Sequence, residues 1–400
     1  MALQLDAEDD PQIIFETLNA RGAQLYPSDL ARNFVFLQAT RKGEMVDALY
    51  EKHWREFDEK VDSDVSSKGA KFWKKEERQG RLKNSRLDLL LYHYVGLRTQ
   101  RETKVSHVFE EFKQWWQSEI RSTDTELKKI AKLAKHFEIF ISPSQETRFG
   151  LFCYRLRALD TSTPTPLIFY LLEHHASDSP EFLQAIGDLE SYLVRRYVCR
   201  FTTQGYNRIF LNKILGDLVR DNRSDPNGIR AGLLDLGGQT QVWPDDATFE
   251  ENWKNTRLYR GGGKSAARML LEALERGVRT AKQESLDIPE GLSIEHVMPQ
   301  KWTTDAWPLD IDSADTRADR NRLLHTIGNL TLLTQALNSA VSNGPFRGKR
   351  SEIAENSQLR MNAYFQKLSD KSPWFESEIK ARSAILFDVA KSIWPRPAAS

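Results

Sequence analysis

From residue 44 to residue 222 the apolar side chains return every three or four positions, and this periodicity restricts the chain more than any other feature. Leu87, Leu90, Leu91, Tyr94 and Leu97 show it most clearly. The spacing predicts helices over 44–61, 83–97, 104–119, 124–141, 146–159, 166–176, 180–201 and 205–220, with breaks at 63–69, 142–144, 161–166 and 178–180. No repeat of solenoid length is present. Residues 61–243 therefore read as a helical spacer packed on itself. Its last part, 221–243, carries Pro226, Gly228, Gly232, Gly237 and Gly238 and reads as a linker ending near Pro244.

The pattern changes between Gly291 and Arg350. A short β-type run holds Ile294, Glu295, His296 and Val297, and a polar interval follows. A second run, 329–334, comes after the turn at Gly328. From Gln335 onward the chain reads as polar helix or loop. The expectation is a β-hairpin with a long insert, then a helix. Helices are expected again at 246–256, 356–366 and 377–393, before a Pro-rich tail.

The ordered set Glu295-His296-x-x-Pro299-Gln300, Gly328-Asn329-Leu330, Asn338 nine residues after Asn329, and Lys349 resembles the HNH (His-Me finger) nucleases. It is most similar to the C-terminal nuclease domain of GmrSD-type modification-dependent restriction enzymes. The resemblance implies a mainly α protein with a C-terminal ββα-metal core, residues 244–400, flanked by helices. It implies a divalent-metal-dependent DNA endonuclease or nickase that restricts modified foreign DNA, as from phage. Phosphodiester hydrolysis needs an activated water and a cation on the phosphate. His296 is the expected base, since a neutral imidazole accepts a proton at neutral pH. A hard cation, one Mg²⁺ or Mn²⁺, prefers oxygen ligands, which points to Glu295 and the Asn338 carboxamide. In similar proteins the residue at Asn329 fixes the hairpin and helps orient the base. Many relatives carry Asp where this chain has Glu295. His325, Arg347, Lys349 and Arg350 are the candidate DNA contacts.

Residues 12–38 read as helix, turn, helix, with Gly22 ending the first and Pro27-Ser28-Asp29 opening the second. Phe15-Glu16-x-Leu18-Asn19-x-x-Gly22, then Leu25 and Asp29-Leu30-x-x-Asn33, resemble the end of the ParB-like nucleotide-binding domain of the same family. The resemblance makes residues 1–60 a remnant of that domain, without its upstream Asp-Gly-Gln-Gln-Arg motif. Phe15, Glu16 and Asn19 would then be a residual nucleotide half-site completed by a partner, or a plain helix–turn–helix staple. NTP hydrolysis by this chain alone is not expected, and a homodimer is compatible with the pattern. The rival reading is a non-catalytic DNA-binding or regulatory fragment that needs a nucleotide-binding partner.

Charge supplies no global argument for nucleic acid, since 57 basic residues face 56 acidic ones. Any DNA affinity must be local. Lys71-Phe72-Trp73-Lys74-Lys75 mixes cations with aromatics, but Glu76 and Glu77 follow, and a helix flank burying Trp73 is the better reading. Arg195, Arg196 and Arg200 read as a solvated or ion-paired helix face, with a DNA-facing stripe as the alternative. Gly261-Gly262-Gly263-Lys264-Ser265 lacks the first Gly of a phosphate loop, where Leu258 stands, and no apolar strand precedes it. It reads as a helix start, with a phosphate contact to DNA left open. Cys153 and Cys199 have no ligand-type spacing, which argues against a zinc site or a disulfide framework and fits a reducing cytoplasm. No signal-peptide pattern and no membrane-length apolar run is visible.

Overall fold

A computed structural model describes residues 26–63, 69–238, 240–259, 261–279, 288–341, 344–369 and 371–398. Phe15, Glu16 and Asn19 lie outside the described residues. The chain is mainly helical and divides into two compact units. Unit 1 comprises residues 1–182 and 205–228, and unit 2 comprises residues 183–204 and 229–400.

Unit 1 contains α1 (Pro27–Arg41), α2 (Val46–His53), β1 (Glu76–Gln79), β2 (Leu82–Ser85), α3 (Arg86–Thr99), α4 (Val108–Gln117), α5 (Thr123–Ile141), α6 (Arg148–Ala158) and α7 (Thr165–His174). A π-helical run, Arg208–Leu215, continues as Gly216–Arg220. Its core is aromatic: Trp73 stacks on Phe137 at 6.5 Å and Phe57 meets Trp73 edge-on at 5.2 Å. Trp73 is fully buried, as the reading that put it in the core expected. The surrounding segment is not a helix flank, however. A short 3₁₀ turn, Phe72–Lys74, leads into an antiparallel hairpin in which Glu76 faces Ser85 and Gln79 faces Leu82. Gly80 opens its two-residue turn at φ +61°, a conformation Gly adopts without steric cost. Ser85 ends β2 and caps α3, its hydroxyl accepting from Asp88 N at 3.1 Å. The buried Asp88 in turn accepts from Ser28 N at 2.9 Å, at the start of α1.

Unit 2 contains most of α8 (Pro180–Val198), then α9 (Asp246–Asn255), α10 (Lys264–Val278), β3 (Ser293–His296), α11 (Ala314–Leu323), β4 (Leu330–Leu333), α12 (Gln335–Val341), α13 (Phe346–Asn356) and α14 (Glu376–Ile393). Arg195 and Arg196 on α8 are fully buried, which corrects the solvated and the DNA-facing readings, while Arg195 is ion-paired to Asp246 as the other reading expected. Arg195 donates to Trp394 O, Pro244 O and the Asp246 carboxylate, and Arg196 donates to the carbonyls of Val242, Thr202 and Thr240. A guanidinium supplies a planar fork of donors, and here the forks tie the 240–246 segment to α8.

β3 and β4 pair antiparallel, with Ser293 opposite Leu333 and His296 opposite Leu330. The helix expected at 356–366 lies earlier, at Phe346–Asn356, with Pro345 at its N-cap. The later segment forms a 3₁₀ turn, Arg360–Asn362, and a single helical turn, Ala363–Gln366. The buried Glu275 fixes that turn by accepting from Arg360 N at 3.0 Å and Met361 N at 2.9 Å. Gly261–Gly263 is 3₁₀, α10 begins at Lys264, and the preceding residues 256–259 are not strand. Among the described residues no helix is long and apolar enough to cross a membrane. Cys153 and Cys199 are both free and buried.

Candidate active site

The second hairpin is built around a close backbone approach. A Cβ on Gly328 would lie 2.1 Å from Ile379 O of α14, so only glycine lets the turn before β4 dock on that helix. Arg382, one helical turn further along α14, donates to the carbonyls of Gly328 at 2.9 Å and Leu330 at 2.7 Å. It is fully buried, and desolvation lowers its pKa to about 10. The turn leading into β4 is therefore clamped by both backbone and side chain of α14.

Asn329 completes the clamp. Its Oδ1 accepts from Met298 N at 2.8 Å and Trp374 Nε1 at 3.1 Å. Its Nδ2 donates to Met298 O at 2.9 Å and Leu324 O at 3.0 Å. All of this carboxamide is spent on holding the chain just after His296, inside a core that includes Val297, Met298, Leu324, Leu333 and Trp374. Asn329 is thus placed to fix the loop that follows His296, through the backbone and not through the imidazole.

His296 ends β3 with 5% of its surface exposed. Its Nε2 lies 3.3 Å from His325 Nδ1, and its Nδ1 lies 3.4 Å from Gln300 Nε2. Tyr259 meets the His296 ring edge-on, 4.7 Å away at 86°, and stacks parallel to His325 at 6.1 Å and 10°. The same segment bonds to His325 through its backbone, Leu258 N and Tyr259 N both donating to His325 O. Desolvation, helped by His325 and by the Lys349 ammonium, lowers the His296 pKa to about 3. The imidazole is accordingly neutral at neutral pH.

A second cluster gathers Glu295, Lys349, Ser293 and Asn338. Consecutive strand residues alternate faces, so Ser293 and Glu295 share the side of β3 opposite to His296. The Lys349 ammonium, from α13, is ion-paired to the Glu295 carboxylate and also donates to His296 O at 2.9 Å. The Lys349 side chain is 0% exposed and that of Glu295 14%. Burial pushes the Glu295 carboxyl up and the Lys349 ammonium down, against the pull of the pair itself. Asn338 Nδ2 donates to Ser293 Oγ at 2.9 Å, which puts the carboxamide beside the same face.

The expected residues therefore fall into two clusters, one imidazole and one oxygen-rich, joined at the end of β3. His325 is beside His296. Arg347 is exposed on α13, while Arg350 is buried with Nη1 on Leu368 O at 3.0 Å. Lys349 faces Glu295 and is not open to solvent. Tyr259, Arg382 and Trp374 belong to the site and were not singled out from sequence; each lies far along the chain from the motif it supports.

No curated protein matches the chain. A family match covers residues 243–389, described as GmrSD restriction endonucleases, C-terminal domain. It includes every residue of both clusters. Over residues 243–389 the chain is similar to the C-terminal domain of the GmrSD restriction endonucleases.

Proposed function

We propose that this domain is an HNH-type endonuclease or nickase that hydrolyses phosphodiester bonds of DNA with Mg²⁺ or Mn²⁺. The observation that carries the proposal is that one four-residue strand, β3, carries the His296–His325–Tyr259 cluster on one face and the Glu295–Lys349 pair with Asn338 on the other, inside the matched region. The substrate is taken as modified foreign DNA because the matching family is one of restriction endonucleases. A ParB-like nucleotide-binding partner is part of the same reading.

The donor set suits an open ion site. Among the described residues no group of three or more His, Cys, Asp or Glu could hold a metal ion, so an ion here would rest on fewer protein donors of that kind. One carboxylate, Glu295, and one carboxamide, Asn338, are hard oxygen donors on one face of β3. Mg²⁺ is held in this way when waters and substrate phosphate complete its shell. When bound, such an ion supplies Lewis-acid stabilisation of charge on the phosphate oxygens.

The chain's own groups do the rest. His296 is neutral, so its lone pair accepts a proton from water. An imidazole of pKa about 3 is a weak base, and an arriving phosphate raises it by favouring the imidazolium. Tyr259 and His325 hold the ring in place. Arg347, exposed on α13, is a phosphate contact.

The test is nicking of supercoiled plasmid DNA by the full chain with Mn²⁺. His296→Ala is expected to lower the rate by about 10²–10⁴-fold, the usual contribution of a general base. Cleavage by His296→Ala at the wild-type rate overturns the assignment.

A further inference from the structure

We infer that Lys349 is the resident counter-ion of Glu295 and competes with a divalent cation for that carboxylate, setting a weak affinity for the ion. This inference rests on the assignment of Glu295 as an ion ligand. A buried ammonium needs a compensating charge, and Glu295 is the carboxylate to which Lys349 is paired. Its second acceptor, His296 O, holds the ammonium on the same stretch of β3. The lysine emerges from the first turn of α13, which follows the N-cap Pro345, a residue that presets its own backbone angle. The ammonium is therefore delivered by a rigid element rather than by a surface side chain.

Two cations sharing one carboxylate repel each other, and the repulsion is strong where water is excluded. A divalent ion at Glu295 must either displace the ammonium or bind against its charge. Asn338 adds an oxygen donor but no negative charge to offset this. Ion binding and the Lys349–Glu295 pair are thus linked with opposite sign, and by reciprocity each weakens the other.

Mn²⁺ binding to the full chain, followed by loss of the free-ion electron paramagnetic resonance signal, tests this without reading activity. Lys349→Met is expected to bind Mn²⁺ about tenfold tighter than wild type, within the usual range for coupled sites. Lys349→Arg keeps the charge and is expected to stay near wild type. Glu295→Gln/Lys349→Met is expected to lose the gain. A folded Lys349→Met protein that binds Mn²⁺ no tighter than wild type overturns the inference. Wild-type protein supplies a second reading should Lys349→Met fail to fold. Saturating Mn²⁺ is expected to speed amide hydrogen exchange in Phe346–Asn356, and unchanged exchange with the ion bound overturns the inference. Mn²⁺ binding that is lost in Glu295→Gln but unaffected by Lys349→Met overturns the counter-ion role and leaves the ion assignment standing. No Mn²⁺ binding in any variant, with plasmid nicking that persists in EDTA, overturns the ion assignment itself and this inference with it.

Discussion

Among the described residues two antiparallel pairs of four-residue strands occur, and they are made by opposite means. The β1–β2 pair closes over a two-residue turn; half of its residues are charged and all but Ser85 are half-exposed or exposed. An exposed ion pair, Lys83 to Glu76 at 2.9 Å, crosses it. The β3–β4 pair spans the long insert 297–329, and every residue of β4 is buried. A local hairpin needs little beyond a suitable turn, because closing a short loop costs little entropy. A hairpin whose strands lie far apart in sequence must recover that entropy from packing and buried hydrogen bonds. The imidazole and carboxylate clusters sit on the second, which is the rigid one.

The comparison breaks most visibly at the glycines. Gly328→Ala places a Cβ 2.1 Å from Ile379 O, a backbone atom that cannot swing aside. The expected loss is about 4 kcal/mol or more, at the severe end for one substitution. Gly80→Ala in the first hairpin meets Asp160 O at 3.2 Å and a φ of +61°. That costs about 1 kcal/mol. Denaturant unfolding monitored by hydrogen exchange in each unit separates the two. Equal losses would mean that the second turn is no more constrained than the first.

The next contrast is between hydrogen bonds. Asn329→Ala leaves Met298 N, Met298 O, Leu324 O and Trp374 Nε1 without their partner, all in the core. The expected loss is about 3 kcal/mol, because unsatisfied buried groups are costly. It should be accompanied by faster exchange at Met298. Lys83→Ala in the first hairpin removes an exposed pair and is expected to cost under about 0.5 kcal/mol. A small loss in Asn329→Ala would show that water enters and replaces these four bonds.

The same contrast decides what was legible in the sequence. Helices with a clean apolar stripe, such as α3 and α14, could be read directly from Leu87, Leu90 and Leu91 or from Ile379, Leu386 and Phe387. The β1–β2 hairpin could not. Glu76-Glu77-Arg78-Gln79 has no apolar alternation, and Gly80 was its only signal. Arg195 and Arg196 read as a solvated or ion-paired face because adjacent arginines usually are, yet five backbone carbonyls among their six oxygen partners could not be foreseen. In the site, His296, Asn329 and Asn338 stood in a recognisable order. Tyr259 and Arg382 carried no local pattern, since a ring packed on an imidazole and a guanidinium clamped on two carbonyls are tertiary facts. That Glu295 is neutralised by Lys349 was hidden for the same reason.

The smallest effect concerns pH and the support behind the first hairpin. Gln79 of β1 pairs with the buried His93 through Nε2 at 3.1 Å, and His93 is packed among Tyr92, Phe137 and Phe169. Desolvation lowers its pKa to about 3, against about 6.5 when unfolded. The unfolded chain therefore binds the proton more readily, and stability rises with pH between those two values. The contribution is fully present above about pH 6.5 and is lost as pH falls toward 3, amounting to about 2 kcal/mol by pH 5. His93→Phe keeps an aromatic ring and removes the titration, so the stability of unit 1 should lose that part of its slope between pH 5 and 7. An unchanged slope in His93→Phe would mean that the ring is hydrated in solution, and that the first hairpin, like its side chains, rests on a wet surface.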